Sequence, residues 1–295
     1  MDIPVLDWRL FATDKAAFVA ALGAAARGPG FFVLAHHDIP DALVAETFAA
    51  ADRFFARPPE EKAAVARNES NRGYVGHGTE ALDEASGVRD RKEAFNIGLE
   101  LAPDDPRMGE PFRGANLWPD VAGFRDTTLR YFRAAHAQGV ALHRAVALDL
   151  GLSEDHFDAA FDAPMATLRL LNYPAGDGSI GAGAHTDYGS LTLLMTDGVG
   201  GLQVRPRNGD WIDAPKVDGA LIVNIGDCLM RWTNDVYVST PHRVVAPPAA
   251  RRSIAFFLDP NPEAEVAALP GTGEPRYEAT TGAEYLASRL NATYA

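Results

Sequence analysis

The sequence predicts a mostly β core, a sandwich or jelly roll, with flanking helices (α+β). Three observations carry this. From Ala166 onward, short runs rich in Val, Ile, Leu and aromatics lie at 166–173, 190–196, 202–205, 220–225, 242–246 and 252–258, separated by Gly, Asn, Asp and Pro. Up to about residue 160 the dominant period is helical instead. At 295 residues the chain exceeds the commonest domain size, yet a barrel with helical flanks runs to this length as one unit.

Residues 13–27 open with the cap-type Thr13 and end near Gly28-Pro29-Gly30, which predicts a first helix. Phe31 to Leu34 reads as a strand. A second helix is expected over 41–56, from Asp41 to the stop before Pro58-Pro59, and a third over roughly 120–150, before Gly151. Pro103 to Pro119 reads as a surface connection. Residues 281–291 close the chain as a helix. The expected organisation is an N-terminal helical and strand region, 1–119, packed on a core of 120–295 to make one structural unit. Helices should dominate the chain up to about residue 160.

Composition excludes several classes. The formal net charge of −13 repels phosphate backbones, so a small-molecule partner is expected and nucleic acid is not. No stretch approaches the 18 consecutive apolar residues of a membrane span, so no membrane partner is expected. The start, Met-Asp-Ile-Pro-Val-Leu-Asp, lacks the features of a secretory signal, and a cytoplasmic location is the expectation. The single cysteine, Cys228, rules out an intrachain disulfide or a Cys-based metal cluster, and its apolar setting suggests a buried structural thiol.

Two constellations carry chemistry. His185-Thr186-Asp187 is answered about 55 residues later by His242 in Ser-Thr-Pro-His-Arg-Val-Val. In an extended segment His185 and Asp187 project from one face, and His242 would come from a neighbouring strand. Two imidazoles and a carboxylate can hold Fe(II) on one side and leave the opposite positions open. A bare His-x-Asp is a weak pattern, and a zinc site using the same residues stays open at this point. About ten residues further on, alternation along Arg-Arg-Ser-Ile-Ala-Phe-Phe-Leu puts Arg251 with Ser253 on one face, and Arg252 with Ile254 and Phe256 on the other. A guanidinium beside a hydroxyl suits a carboxylate, because Arg offers parallel donors to both oxygens.

The motifs fall in a fixed order: Leu-Arg-Leu-Leu-Asn-Tyr-Pro (168–174), His-Thr-Asp (185–187), Val-Asn-Ile-Gly-Asp (223–227), Trp-Thr-Asn (232–234), Ser-Thr-Pro-His-Arg-Val-Val (239–245) and Arg-Arg-Ser-Ile-Ala-Phe-Phe (251–257). Before them stand Ile-Pro-Val-Leu-Asp (3–7), Gly-Phe-Phe-Val (30–33), Phe-Phe-Ala-Arg-Pro-Pro-Glu-Glu-Lys (54–62) and Arg-Gly-Tyr (72–74). In this order they resemble the iron(II)/2-oxoglutarate-dependent oxygenase superfamily, and within it the isopenicillin N synthase-like family, over nearly the whole chain.

The resemblance implies a double-stranded β-helix, a cupin-like jelly roll. It implies that His185, Asp187 and His242 ligate Fe(II), and that Arg251 and Ser253 bind the far carboxylate of 2-oxoglutarate with Tyr173 as a third contact. Asn224 would line the cosubstrate pocket, or serve only a turn. Asn172 stands where the family often carries an aromatic residue, so only Tyr173 carries over from that motif. The implied reaction is oxidation of a small molecule by molecular oxygen, as hydroxylation, desaturation or cyclisation, with release of succinate and carbon dioxide. By the same analogy Arg72, Tyr74, Glu93 and Phe95 face the substrate, and Arg72 there would favour a carboxylate-bearing one. Family members that use no 2-oxoglutarate also carry an Arg-x-Ser, which keeps such an oxidase as the alternative. A zinc hydrolase would have no use for the Arg251 receptor. A non-catalytic jelly-roll binding protein would have no reason to bury five polar residues on its inner face.

Overall fold

The computed structural model describes residues 2–80, 89–176, 180–207, 209–246 and 249–294. Its N-terminal part alternates strands and helices: β1 (Val5–Asp7), α1 (Leu10–Thr13), α2 (Lys15–Arg27), β2 (Phe31–Ala35), α3 (Asp41–Phe55), α4 (Pro59–Ala63), β3 (Gly73–Val75) and β4 (Glu93–Gly98). The long helix α5 (Phe124–Asp149) leads into β5 (Thr167–Tyr173), β6 (Ile180–His185), β7 (Leu191–Thr196), β8 (Leu202–Val204), β9 (Ile212–Asp213) and β10 (Leu221–Ile225). After α6 (Asp227–Trp232) come β11 (His242–Val245), β12 (Arg251–Leu258), β13 (Glu265–Val266), β14 (Thr280–Thr281) and α7 (Gly282–Tyr294). No helix among the described residues is long and apolar enough to cross a membrane.

The major sheet runs in the order β1-β2-β10-β7-β12-β5-β4-β3, and the minor sheet in the order β6-β11-β8-β9. The jelly roll is therefore enlarged by strands that precede residue 100. Helices dominate the chain up to about residue 160 as expected, but the strands among them join the core sheet, because β4 pairs with β5 over its whole length and β2 pairs with β10. The first helix also starts later than expected. Asp14, not Thr13, is its cap and accepts a hydrogen bond from the Ala17 amide; the Thr13 hydroxyl turns back to the Arg9 carbonyl.

Each strand of the major sheet is two-sided, and the two sides do different work. Outward residues such as Phe95, Leu168, Leu170, Leu193, Ile254 and Phe256 form the large apolar cluster with the helices. Phe132 of α5 meets Phe256 edge-on at 5.1 Å. Gly139 lets the helix backbone come down on β12, since a Cβ there would lie 2.6 Å from Leu258 Cδ2. Inward residues such as Ala94, Leu171, Tyr173 and Ala255 face the minor sheet in a second cluster. The space between the sheets is the cavity described next.

Candidate active site

Antiparallel pairing of β11 with β6 sets His242 directly opposite His185, with ring centroids 4.4 Å apart. Asp187 does not lie in the strand with His185, as simple alternation suggested, but on the turn just beyond its end. That turn is fixed by α6: the Asp227 amide donates to the Asp187 carbonyl at 2.7 Å, and the Thr186 hydroxyl donates to the Asp227 carboxylate.

Each imidazole directs Nδ1 at a backbone carbonyl, Gly183 for His185 (2.7 Å) and Thr240 for His242 (3.2 Å). A carbonyl can only accept, so Nδ1 carries the proton and the Nε2 lone pairs face inward. The two Nε2 atoms stand 3.8 and 3.7 Å from Asp187 Oδ1. One ligand atom from each residue lies within 4.8 Å of the others. The other Asp187 oxygen, Oδ2, accepts from the Thr192 hydroxyl (2.6 Å) and the Asn224 amide (2.8 Å), which leaves Oδ1 for an ion. Burial and the neighbouring His242 push His185 below its usual range, so its lone pair stays free. Burial alone would raise Asp187, but the two imidazoles and its two hydrogen bonds outweigh that and hold it ionised. Two nitrogens and one carboxylate oxygen on one side of a cavity suit Fe(II).

At the start of β12, Arg251 is 1% exposed and pairs in register with Tyr173. Its guanidinium carbon stands 5.1 Å from the Tyr173 ring centroid, and Nη1 donates to the Ser253 hydroxyl at 3.2 Å. Nε has no acceptor among the described residues, and no carboxylate among them pairs with the group. A cation sealed in this way calls for an anion from outside the protein. Tyr173 meets the guanidinium with its ring. Asn224, expected at the cosubstrate, lines the cavity but commits its amide to Asp187.

Of the four residues expected to face substrate, only Arg72 lines the cavity. It is 3% exposed; one Nη donates to the Phe112 carbonyl at 3.2 Å, and Nε is unpartnered among the described residues. Burial and nearby Arg113 push it down to about 10, so it remains a cation at neutral pH. Glu93 and Phe95 lie elsewhere because β4 alternates, with Ala94 and Asn96 inward and Glu93 and Phe95 outward, and Tyr74 of β3 pairs with Phe95 on that outward side. Glu93 is buried and accepts from Lys62, the Tyr74 hydroxyl and the Asn172 amide, each at 2.7 Å, instead of facing the cavity. Phe95 packs on Phe54 and Phe124 at 4.8 and 5.1 Å.

Sequence reasoning missed other cavity residues. Glu80, Lys92 and Arg169 form a buried charge cluster in the wall. Burial would raise Glu80, but Arg169 and Lys92 outweigh it and hold the group at about 2. Leu286 and Leu290 of α7 supply an apolar side, and that helix is tied to the site by Arg289, 2.9 Å from Asp227. Nothing local in the sequence marks these, since they converge from distant segments. Asp259 could have been found, because it continues the alternation that sets Arg251 and Ser253 inward. Cys228 is buried and free, and burial pushes its thiol up, as suits a structural role.

Fold and site define a jelly-roll protein in which two histidines and one carboxylate that could hold a metal ion share a cavity with a buried arginine. The chain belongs to the 2OG-Fe(II) oxygenase superfamily: that family matches residues 165–260, and the family described as "non-haem dioxygenase in morphine synthesis N-terminal" matches residues 3–121. A 2-oxoglutarate-Fe(II) type oxidoreductase, hxnY, of Emericella nidulans is 38% identical over 302 residues, covering 94% of this chain and 86% of the relative. A full-length Neurospora crassa protein, solved in complex with alpha-KG and thymine, superposes with a TM-score of 0.89 at 35% identity, covering 99% of this chain and 97% of that one. A 2OG-Fe(II) oxygenase family protein from Caulobacter crescentus gives 0.90 at 33% identity, covering 98% of each chain. This chain is thus a dioxygenase dependent on Fe(II) and 2-oxoglutarate, acting on a small molecule.

Proposed function

We propose that His185, Asp187 and His242 hold Fe(II), that Arg251 and Ser253 take the far carboxylate of 2-oxoglutarate, and that Arg72 receives a carboxylate or carbonyl oxygen of the substrate. The observation that carries this reading is Arg251: a buried cation without a counter-ion among the described residues, in the same cavity as three convergent ligand atoms. The cavity, about 220 Å³, suits small molecules. The thymine bound to the Neurospora relative, a ring with carbonyl acceptors, is of the kind Arg72 would meet.

Bound at the triad, Fe(II) supplies activation of molecular oxygen coupled to conversion of 2-oxoglutarate to succinate and carbon dioxide, with oxidation of a substrate C–H bond. The chain's own residues do the positioning. Thr192 and Asn224 fix which Asp187 oxygen faces the ion, and the Gly183 and Thr240 carbonyls fix the imidazole tautomers. Arg251, backed by the Tyr173 ring and Ser253, sets the long axis of the keto acid. The apolar inward side chains of Leu171, Leu194 and Val244 keep water out of the space between.

Anaerobic addition of 2-oxoglutarate to the Fe(II)-loaded protein tests the reading. A visible metal-to-ligand charge-transfer band is the expected result. A protein that binds Fe(II) yet gives no band at any 2-oxoglutarate concentration would refute the assignment.

A further inference from the structure

The inward row of β12 continues past the strand's end. Arg251, Ser253, Ala255 and Phe257 line the cavity, and the next residue in phase, Asp259, lines it as well. At about 3.3 Å per residue, Asp259 stands roughly 26 Å along the chain from Arg251, too far for one short keto acid to reach both. Asp259 therefore lies beyond the reach of a keto acid held at Arg251.

Its surroundings offer nothing to bind it. The residue is 7% exposed, and no donor among the described residues reaches its carboxylate. The group lies close to Gly189: a Cβ built there would stand 3.0 Å from Asp259 Oδ1. Burial and nearby Asp187 push this carboxyl up to about 7; a polar group that lines a cavity and has no protein donor is open to a donor from a bound molecule. Arg72, in the wall of the same cavity, presents the opposite need, a donor without a full set of acceptors.

We propose that Asp259 accepts a hydrogen bond from an N–H of the substrate, which pairs a donor at Asp259 with an acceptor at Arg72. The substrate class is thereby narrowed to small molecules that carry both, namely cyclic amides and amino acids. The inference rests on the oxygenase reading above and deepens it. It also accounts for a buried carboxyl that neither the metal site nor the keto acid receptor uses.

The test measures succinate formation above the substrate-free rate, with Fe(II) and 2-oxoglutarate. The probes are the free nucleobases and the proteinogenic amino acids, each beside its N-methylated counterpart, thymine with 1,3-dimethylthymine among them. Wild-type protein should be stimulated by N–H-bearing members, and blocking the N–H should cut kcat/KM about tenfold or more, the value of a hydrogen bond to a charged group. Asp259→Leu should bring each such pair to within about threefold. Asp259→Asn, which preserves shape, should show a smaller but definite loss of discrimination if the leucine variant does not fold. The inference is overturned if N-methylated and parent compounds serve wild type equally, if both variants keep full discrimination, or if no N–H-bearing member stimulates. The charge-transfer band of wild-type protein separates the two failures: with the band present only the inference falls, and without it the oxygenase reading falls first.

Discussion

The Arg72 guanidinium lies against Gly98, so closely that a Cβ built on that glycine would stand 2.0 Å from Arg72 Cζ. The end of β4 carries no side chain, and a buried arginine occupies the room in the cavity wall. Gly98→Ala should push the guanidinium aside. Substrate-stimulated turnover should fall about tenfold, with a loss of roughly 1–3 kcal/mol in stability from overpacking. The 2-oxoglutarate titration of the Fe(II) protein should move by less than about twofold; an equal loss there would show that Arg72 serves the keto acid or the fold.

Arg251 gives an experiment in which stability and function part company. The apoprotein buries this cation without a counter-ion among the described residues, so Arg251→Met should leave the apoprotein at least as stable, with Tm equal or higher. The same variant should need roughly a hundredfold more 2-oxoglutarate for half-saturation, since a charge-assisted, two-oxygen contact is gone. Wild type should be stabilised by about 2.7 kcal/mol at 100 times its Kd of 2-oxoglutarate, and the variant barely at all at that concentration. A variant that melts much earlier than wild type without ligand would show that Arg251 is structural.

Thr192 and Asn224 test how the carboxylate ligand is aimed. Both donate to Asp187 Oδ2, so either Thr192→Val or Asn224→Ala frees the carboxylate to rotate. Each should weaken Fe(II) binding by about 10- to 100-fold in an anaerobic titration, a typical effect of removing a partner of a metal ligand. Unchanged Fe(II) affinity in both would mean that the turn at Asp187, pinned by the Asp227 amide, orients the group by itself.

What the sequence made legible follows the physics of its faces. In β12 the face toward the helices is largely apolar, and alternation from the sequence puts Arg251 and Ser253 together on the other face, where both line the cavity. The histidines were legible through spacing and order, and β11 brings His242 to the expected neighbouring position. β4 was not legible, because both its faces are buried and each carries a polar residue, Glu93 outward and Asn96 inward. Alternation then leaves no contrast, and nothing local shows that Lys62, Tyr74 and Asn172 satisfy Glu93 inside the protein. The Gly- and Ala-rich β6 has a single β-branched residue, Ile180, too few to mark it as a strand.

Glu93 accordingly predicts a stability effect and no specificity effect. Glu93→Ala leaves the Lys62 ammonium and the Tyr74 hydroxyl without their buried acceptor, which should cost about 3–5 kcal/mol. Urea unfolding of the metal-free protein measures this. The expectation that Tyr74 and Glu93 touch substrate would be revived only if the variant kept its stability and changed its preference among substrates.

His143 makes the fold sensitive to acid through a group remote from the metal ligands in sequence. The ring is fully buried; Nδ1 donates to the Gly139 carbonyl at 2.8 Å, so Nε2 accepts from the Ser190 hydroxyl at 2.7 Å. Both nitrogens are satisfied in the neutral form, and burial pushes the group from 6.5 down to about 4. Between those values the unfolded chain holds a proton that the folded chain does not, so stability falls as pH drops below 6.5 and this contribution stops changing below about 4. The full effect is about 3 kcal/mol. His143→Gln keeps polar atoms near Ser190 but does not titrate. The difference in unfolding free energy between wild type and this variant, measured in urea with EDTA at pH 7, 6, 5 and 4, should therefore shift by about 3 kcal/mol across the series, against wild type at the acid end. Parallel pH curves for the two proteins would show that the His143 ring is protonated, or solvated, in the native fold.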